Sequence, residues 1–246
     1  IQEAVAGGFV PFRDVSVGLT GEVFFTSQFG RDYMAHHYPG AAARFKVARL
    51  GTDDHGVARW QPSDGPLRIV SVSAIVPVKR LALLIEALGS VTQPVEWHHF
   101  GEGTQEDEMR ALAQATLPDH VSVVWEGHID NTDLVDRLVD DAYDAFISCS
   151  SSEGGFPVSM QEALSTGTPV IATAAGGIPE GIDATDGVIL PRTAGAREIA
   201  AAIDGFSALP ESEARRLREG ARARWEQMSS ADSTYPPFAA HLAALA

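Results

Sequence analysis

Through the middle of the chain, short apolar runs alternate with segments whose apolar residues recur every three or four positions. Residues 68–73 read as a strand, and 80–88 as a helix with Leu81, Leu84, Ile85 and Leu88 on one face. The pattern repeats as a strand at 95–100, a helix at 105–115 and a strand at 121–125. A helix capped by Asn131 or Thr132 then runs through Val139, followed by a strand at 145–149. A helix at 158–165, ended by Gly167, precedes strands at 169–173 and 187–190, and the last part, 196–206, 211–228 and 238–245, is helical. Alternation at this spacing predicts an α/β fold, a doubly wound parallel sheet covered by helices on both faces. Such sheets bind ligands at the carboxyl ends of their strands. Lys79, Gly101, Gly127, Glu153 and Gly176 each follow one of the first five strands.

The two ends do not fit that unit. Residues 22–27 are strand-like, 29–38 read as the helix that follows, and 47–51 lead into Thr52-Asp53-Asp54-His55-Gly56 and a polar, proline-bearing stretch to Pro66. This predicts the tail of a preceding α/β domain over 1–51 and a linker over 52–66. The chain opens on Ile1 rather than methionine, so it is expected to be a piece of something longer.

Composition narrows the function. With 45% hydrophobic and 21% charged residues, the chain is globular and can bury a large core. Its 18 basic against 33 acidic residues give a net charge of −15, which disfavours general binding to nucleic acid or anionic lipid. A phosphate site would have to be local, built from a few cations and backbone amides. The single cysteine, Cys149, excludes a disulfide framework and points to a reducing, cytoplasmic setting. It ends an apolar strand and reads as core rather than nucleophile. No apolar run is long enough to span a bilayer, and the start lacks the basic end of a signal peptide.

The densest chemistry lies in Ser151-Ser152-Glu153-Gly154-Gly155-Phe156-Pro157-Val158-Ser159-Met160-Gln161-Glu162. Pro157 is expected at the first helical position, where its missing N–H costs nothing. The amides around it would point out of the helix start and could hold an anion or a polar ligand. Glu153 on the turn and Glu162 on the helix cannot help to bind phosphate, but they can accept hydrogen bonds from hydroxyls. A ligand with both phosphates and hydroxyls, such as a sugar nucleotide, fits this mixture. Lys79, between a strand and an apolar helix, could reach a diphosphate at that helix's start. Taken alone, Glu153 reads as well as a solvated loop residue, Glu162 as a surface charge and Lys79 as a lysine in water. Gly101-Glu102-Gly103 lacks the third glycine of a dinucleotide fingerprint, since Glu106 stands there. His36-His37, His98-His99 and Asp53-Asp54-His55 have no partners at a repeating ligand spacing, so surface or packing roles are expected and no metal site.

Together, Pro77-Val78-Lys79-Arg80, Phe100-Gly101-Glu102-Gly103, Gly127-His128 and the Glu153–Glu162 segment resemble the retaining GT-B glycosyltransferases of the large group 1 (family 4-like) family. The resemblance implies that 67–228 is the C-terminal, nucleotide-sugar-binding domain. It implies that 1–51 is the tail of the acceptor-binding N-terminal domain and that 229–246 crosses back to it. The implied activity is transfer of a hexosyl group from a UDP- or GDP-linked sugar to a hydroxyl acceptor, a carbohydrate or a lipid-linked one, in glycan or polysaccharide synthesis, with no metal and no cofactor. A GT-B sugar-nucleotide epimerase and a non-catalytic sugar-nucleotide-binding module are the alternatives. Membrane association would be peripheral, through the absent domain, and nucleic acid is not a partner. By resemblance, Glu162 takes the ribose hydroxyls. Glu153 sits near the donor sugar with the amides around Gly155, Phe156, Pro157 and Val158. Gly127 and His128 line the base, the Gly176-Gly177 loop lies near the diphosphate, and Lys79 holds the diphosphate. The family often has an arginine a few residues before that lysine. Ala74 stands there, with Arg80 as the candidate substitute. The family also separates its two glutamates by seven residues. Here eight intervene, the extra one a glycine, and the turn is expected to absorb it through a positive φ.

Overall fold

The computed structural model describes residues 13–245. Residues 1–12 and 246, which belong to the predicted first and last segments, lie outside the described residues. A small unit comes first. It contains α1 (Arg13–Leu19), β1 (Val23–Phe25), α2 (Gln28–His37) and β2 (Phe45–Val47), with β1 and β2 paired in parallel.

The main sheet has six strands: β3 (Leu67–Val72), β4 (Val95–Phe100), β5 (Val121–Gly127), β6 (Ala145–Ser148), β7 (Val170–Thr173) and β8 (Gly187–Leu190). Every neighbouring pair is parallel, in the order β5-β4-β3-β6-β7-β8. The chain starts in the middle, winds out to β5, returns past β3 and winds out to β8. Its direction reverses between β3 and β6, and loops leaving those two strands part there to open a crevice.

Alternate residues of each strand feed opposite cores. Ile69, Trp97, Ile147 and Ile171 face α3 (Leu81–Leu88), α4 (Glu106–Thr116) and α7 (Ala196–Ser207). Val70, Phe100, Phe146 and Val170 face α5 (Asn131–Asp141), α6 (Val158–Ser165) and α8 (Glu211–Met228). Both faces are covered, which is why these strands read as apolar runs rather than as clean alternation.

Four local expectations shift. The residue capping α5 is Asp130, and Asn131 is the first helical residue, its side chain turned to another partner. Pro157 is the cap of α6 (φ −62°, ψ 138°), one place before the first helical residue. α3 begins at Leu81, because Pro77–Lys79 form a 3-10 turn and Arg80 is left-handed (φ 52°). The last helix, α9 (Ala231–Leu245), starts earlier than 238 and contains Pro236 and Pro237. Tertiary contacts hold it there despite the prolines. Phe238 meets Phe24 of β1 edge-on at 5.0 Å, His241 lies 2.5 Å from Glu22, and the Tyr235 hydroxyl donates to the Gly51 carbonyl at 2.9 Å. Among the described residues, no helix is long and apolar enough to cross a membrane.

His99 makes the fold acid-sensitive. It is fully buried on β4, with Nδ1 2.8 Å from the Ser71 hydroxyl, while Nε2 has no hydrogen-bond partner. Burial holds its pKa down at about 4, against an ordinary 6.5. As pH falls through 6.5 the unfolded chain takes a proton that the folded chain refuses. Stability is therefore expected to drop by about 3 kcal/mol between pH 6.5 and 4. Urea unfolding across that range checks this, and an H99N variant should have the flatter profile.

Candidate functional site

The site forms where the chain reverses. Ser151, after β6, is tied across the crevice to the turn after β3: its amide and its hydroxyl both donate to the Val78 carbonyl, at 2.9 and 3.1 Å. That tie brings Lys79 and Glu153 together. Lys79 Nζ lies 2.5 Å from Glu153 Oε1, with both side chains largely withdrawn from solvent. A void of about 20 Å³ beside them is lined by Val72, Ser73, Ser150 and Pro157 among others. The amides of Met160 and Gln161 close on the Pro157 carbonyl, so Val158 and Ser159 stand ahead of the first closed turn of α6, at its positive end. Val158 is exposed there.

Glu162, one α6 turn further, is only 4% exposed. Its Oε1 accepts from Asn131 Nδ2 at 2.7 Å, and burial pushes its pKa above the usual carboxylate range. Asn131 also lines a cleft of about 390 Å³ with Ser73, Ala74, Gly101, Glu102 and His128. Val72 and Ser73 line both this cleft and the void beside Lys79. The Lys79–Glu153 pair and Asn131, with Glu162 held behind it, thus border adjoining spaces at the carboxyl ends of the central strands. Gly127 closes β5, its carbonyl accepting from the Gly101 amide at 2.8 Å, and the exposed His128 follows, its amide 3.3 Å from Glu102 Oε1.

Arg80 is engaged within the protein: its guanidinium donates to the Cys149, Ser150 and Arg192 carbonyls and to the Thr173 hydroxyl, so it braces the ends of β6 and β7. One expectation is corrected. The extra glycine is not absorbed by a positive φ in the turn, since neither Gly154 nor Gly155 has one. Gly155 instead allows close approach: a Cβ there would stand 2.6 Å from Thr26 Oγ1. The left-handed residue is Gly176 (φ 58°), where a Cβ would stand 1.6 Å from the Glu153 carbonyl oxygen. Phe156 packs its ring on Gly181, and its carbonyl accepts from Gln161 Nε2 at 3.0 Å.

Other residues fall where expected. Cys149 is buried, and burial pushes its thiol up to about 12, which removes it as a nucleophile. His98 lies between Glu96 and Glu126, at 2.9 and 2.7 Å, in a polar network on the sheet. Sequence reasoning missed two partners. Asn131 was legible only as a helix cap. Glu180, which accepts from the first amides of α2, carried no local signal.

A family model described as glycosyl transferases group 1 matches residues 57–224. The chain belongs to that family. Among its relatives, WcaL of Escherichia coli strain K12, a candidate colanic acid biosynthesis glycosyltransferase, is 30% identical over 198 residues, covering 74% of this chain and 47% of that protein. The amylovoran biosynthesis glycosyltransferase AmsK of Erwinia amylovora is 30% identical over 153 residues, covering 58% and 37%. The chain therefore spans less than half the length of these two relatives. Solved structures share the fold. A sucrose-phosphate synthase from Thermosynechococcus elongatus superposes with a TM-score of 0.78 at 23% identity, covering 94% of this chain and 61% of that one. Anabaena Alr3699/HepE in complex with UDP gives 0.77 at 20% identity, covering 94% and 66%. The α/β sheet of this group 1 member is thus of the GT-B kind.

Proposed function

We propose that this chain is the donor-binding part of a retaining glycosyltransferase. The whole transferase would move a hexosyl group from a nucleoside-diphosphate sugar to a hydroxyl acceptor in cytoplasmic polysaccharide synthesis, and this chain alone would bind the donor but transfer sugar poorly or not at all. The observation that carries this reading is that the Lys79–Glu153 pair and Asn131, which is bonded to Glu162 behind it, border adjoining spaces at the chain reversal. Lys79 and the open amides of α6 supply positive charge for a diphosphate, and that charge matters most when the diphosphate leaves. Glu162 and Asn131 supply an acceptor and a donor for the ribose hydroxyls. Glu153, released from Lys79 as phosphate takes its place, is left beside the sugar. The cation and the amides meet the leaving charge without a metal or cofactor. The polymers named for WcaL and AmsK and the UDP bound to HepE support this reading.

Substituting Glu162 by alanine is expected to weaken binding of UDP-glucose by roughly 1–3 kcal/mol, the cost of hydrogen bonds lost from a charged acceptor. Calorimetry with a 2′,3′-dideoxy nucleotide, which has no ribose hydroxyls to lose, should give the same affinity for both proteins. Product analysis with donor and acceptor, on full-length protein that also carries the acceptor-binding domain, tests the reaction itself. Free nucleoside diphosphate with glycosylated acceptor supports the transferase. Isomerised donor would mean an epimerase, and intact donor a binding module.

A further inference from the structure

The first turn of α2 is seated in a notch between the loops that follow β6 and β7. Glu180 Oε1 accepts from the Phe29 amide at 2.7 Å. Its Oε2 accepts from the Gln28 amide at 2.9 Å and from the Arg49 guanidinium at 2.8 Å. The first amides of a helix have no partner within it and sit at its positive end, so a carboxylate there is held by hydrogen bonds and by charge. Beside it, the Ser27 hydroxyl accepts from the Gly30 amide at 3.0 Å and donates to the Gly154 carbonyl at 2.8 Å. Gly154 directly follows Glu153.

No slack separates the layers. Gly155 meets Thr26 on one side. On the other, a Cβ on Gly177 would lie 2.8 Å from Gly155 Cα and 3.0 Å from Ser27 Cβ. The Gly176 backbone lies directly against the Glu153 carbonyl. Three segments, 26–30, 153–155 and 176–180, therefore hold one another in place, and Glu180 is the charged tie among them. Glu180 lines neither of the two spaces beside Lys79 and Asn131.

We propose that Glu180 and Ser27 are positioning residues. The seating of α2 fixes the backbone at Glu153, and through it the Glu153–Lys79 pair. Donor binding and α2 seating then favour each other, since coupling between two sites is reciprocal. The functional half of this inference rests on the donor-site reading above; the structural half does not.

Amide hydrogen exchange and calorimetry on the full chain test it with E180Q, E180D and S27A. Without ligand, E180Q should speed exchange across 153–156 about tenfold, and it should weaken UDP-glucose about tenfold, within the ordinary range of coupling between sites. The melting temperature should stay close to that of the parent, and E180D should recover most of both losses. A purely structural contact would lower the melting temperature and leave donor affinity unmoved. In the parent chain, UDP-glucose should slow exchange at Gln28 and Phe29. If E180Q frees 26–30 while 153–156 exchanges as before, the proposal is overturned. It is equally overturned if 153–156 loosens and donor affinity holds. Should E180Q fail to fold, S27A, which leaves Glu180 in place and removes the link to Gly154 together with the cap on the Gly30 amide, carries the same expectations for exchange at 153–156 and for donor affinity. If the parent binds no nucleotide sugar, the donor reading fails, and the ligand-free exchange result still decides the structural tie.

Discussion

Replacing Lys79 by alanine is expected to lower affinity for a nucleoside-diphosphate sugar about 100-fold, equivalent to ~2.7 kcal/mol. Among the described residues, the ammonium is the only cation paired with Glu153, and Arg80 beside it is engaged with carbonyl groups. Without Lys79 the diphosphate would meet the Glu153 carboxylate with no intervening positive charge, in a setting where both side chains are largely withdrawn from water. Charge-assisted hydrogen bonds to phosphate are worth roughly twice neutral ones, and the repulsion adds to their loss. The loss should appear with UDP and UDP-glucose in calorimetry and vanish with uridine, which has no phosphate. Equal weakening of uridine would mean that Lys79 acts by supporting the fold and not by meeting phosphate.

Gly176→Ala should be nearly as damaging by a different route. A left-handed φ costs a non-glycine residue about 1–2 kcal/mol. The added Cβ would also stand 1.6 Å from the Glu153 carbonyl oxygen and 2.6 Å from its carbon, and both are backbone atoms that cannot swing aside. Either the 176 loop or the 153 turn must move. Unfolding free energy is expected to fall by about 2 kcal/mol or more, and donor affinity with it, because Glu153 is displaced. Gly154→Ala is the control. It has ordinary φ and nothing within 4 Å of its Cβ, so it should be close to neutral in both measurements. Urea denaturation and calorimetry on the two variants check this. A neutral Gly176→Ala would show that the two loops are not in contact.

These effects also mark where the sequence stops being legible. Apolar periodicity located all six strands of the sheet, because burial on both faces leaves its mark locally in residues such as Ile69, Val70, Val170 and Ile171. The loops that end those strands could be read as a site from Lys79, Glu153 and Glu162 alone. Their partners could not. Glu180 bonds amides about 150 positions earlier, and Asn131 looks like an ordinary helix cap until α6 brings Glu162 against it. Arg80 resembled a spare cation because nothing local announces four oxygen partners drawn from three separate loops. The positive φ was expected beside the inserted glycine and lies at Gly176, because two loops distant in sequence share one tight contact. In each case the missing information is a long-range contact.

The central claim is that one bound nucleotide sugar reaches both Lys79–Glu153 and Asn131–Glu162. A crystal structure of this chain with UDP-glucose tests it most directly. The account predicts the diphosphate against Lys79 Nζ and the open amides of α6, with the ribose hydroxyls at Glu162. A nucleotide bound elsewhere, with Lys79 still held by Glu153 and Glu162 touching only Asn131, would contradict it.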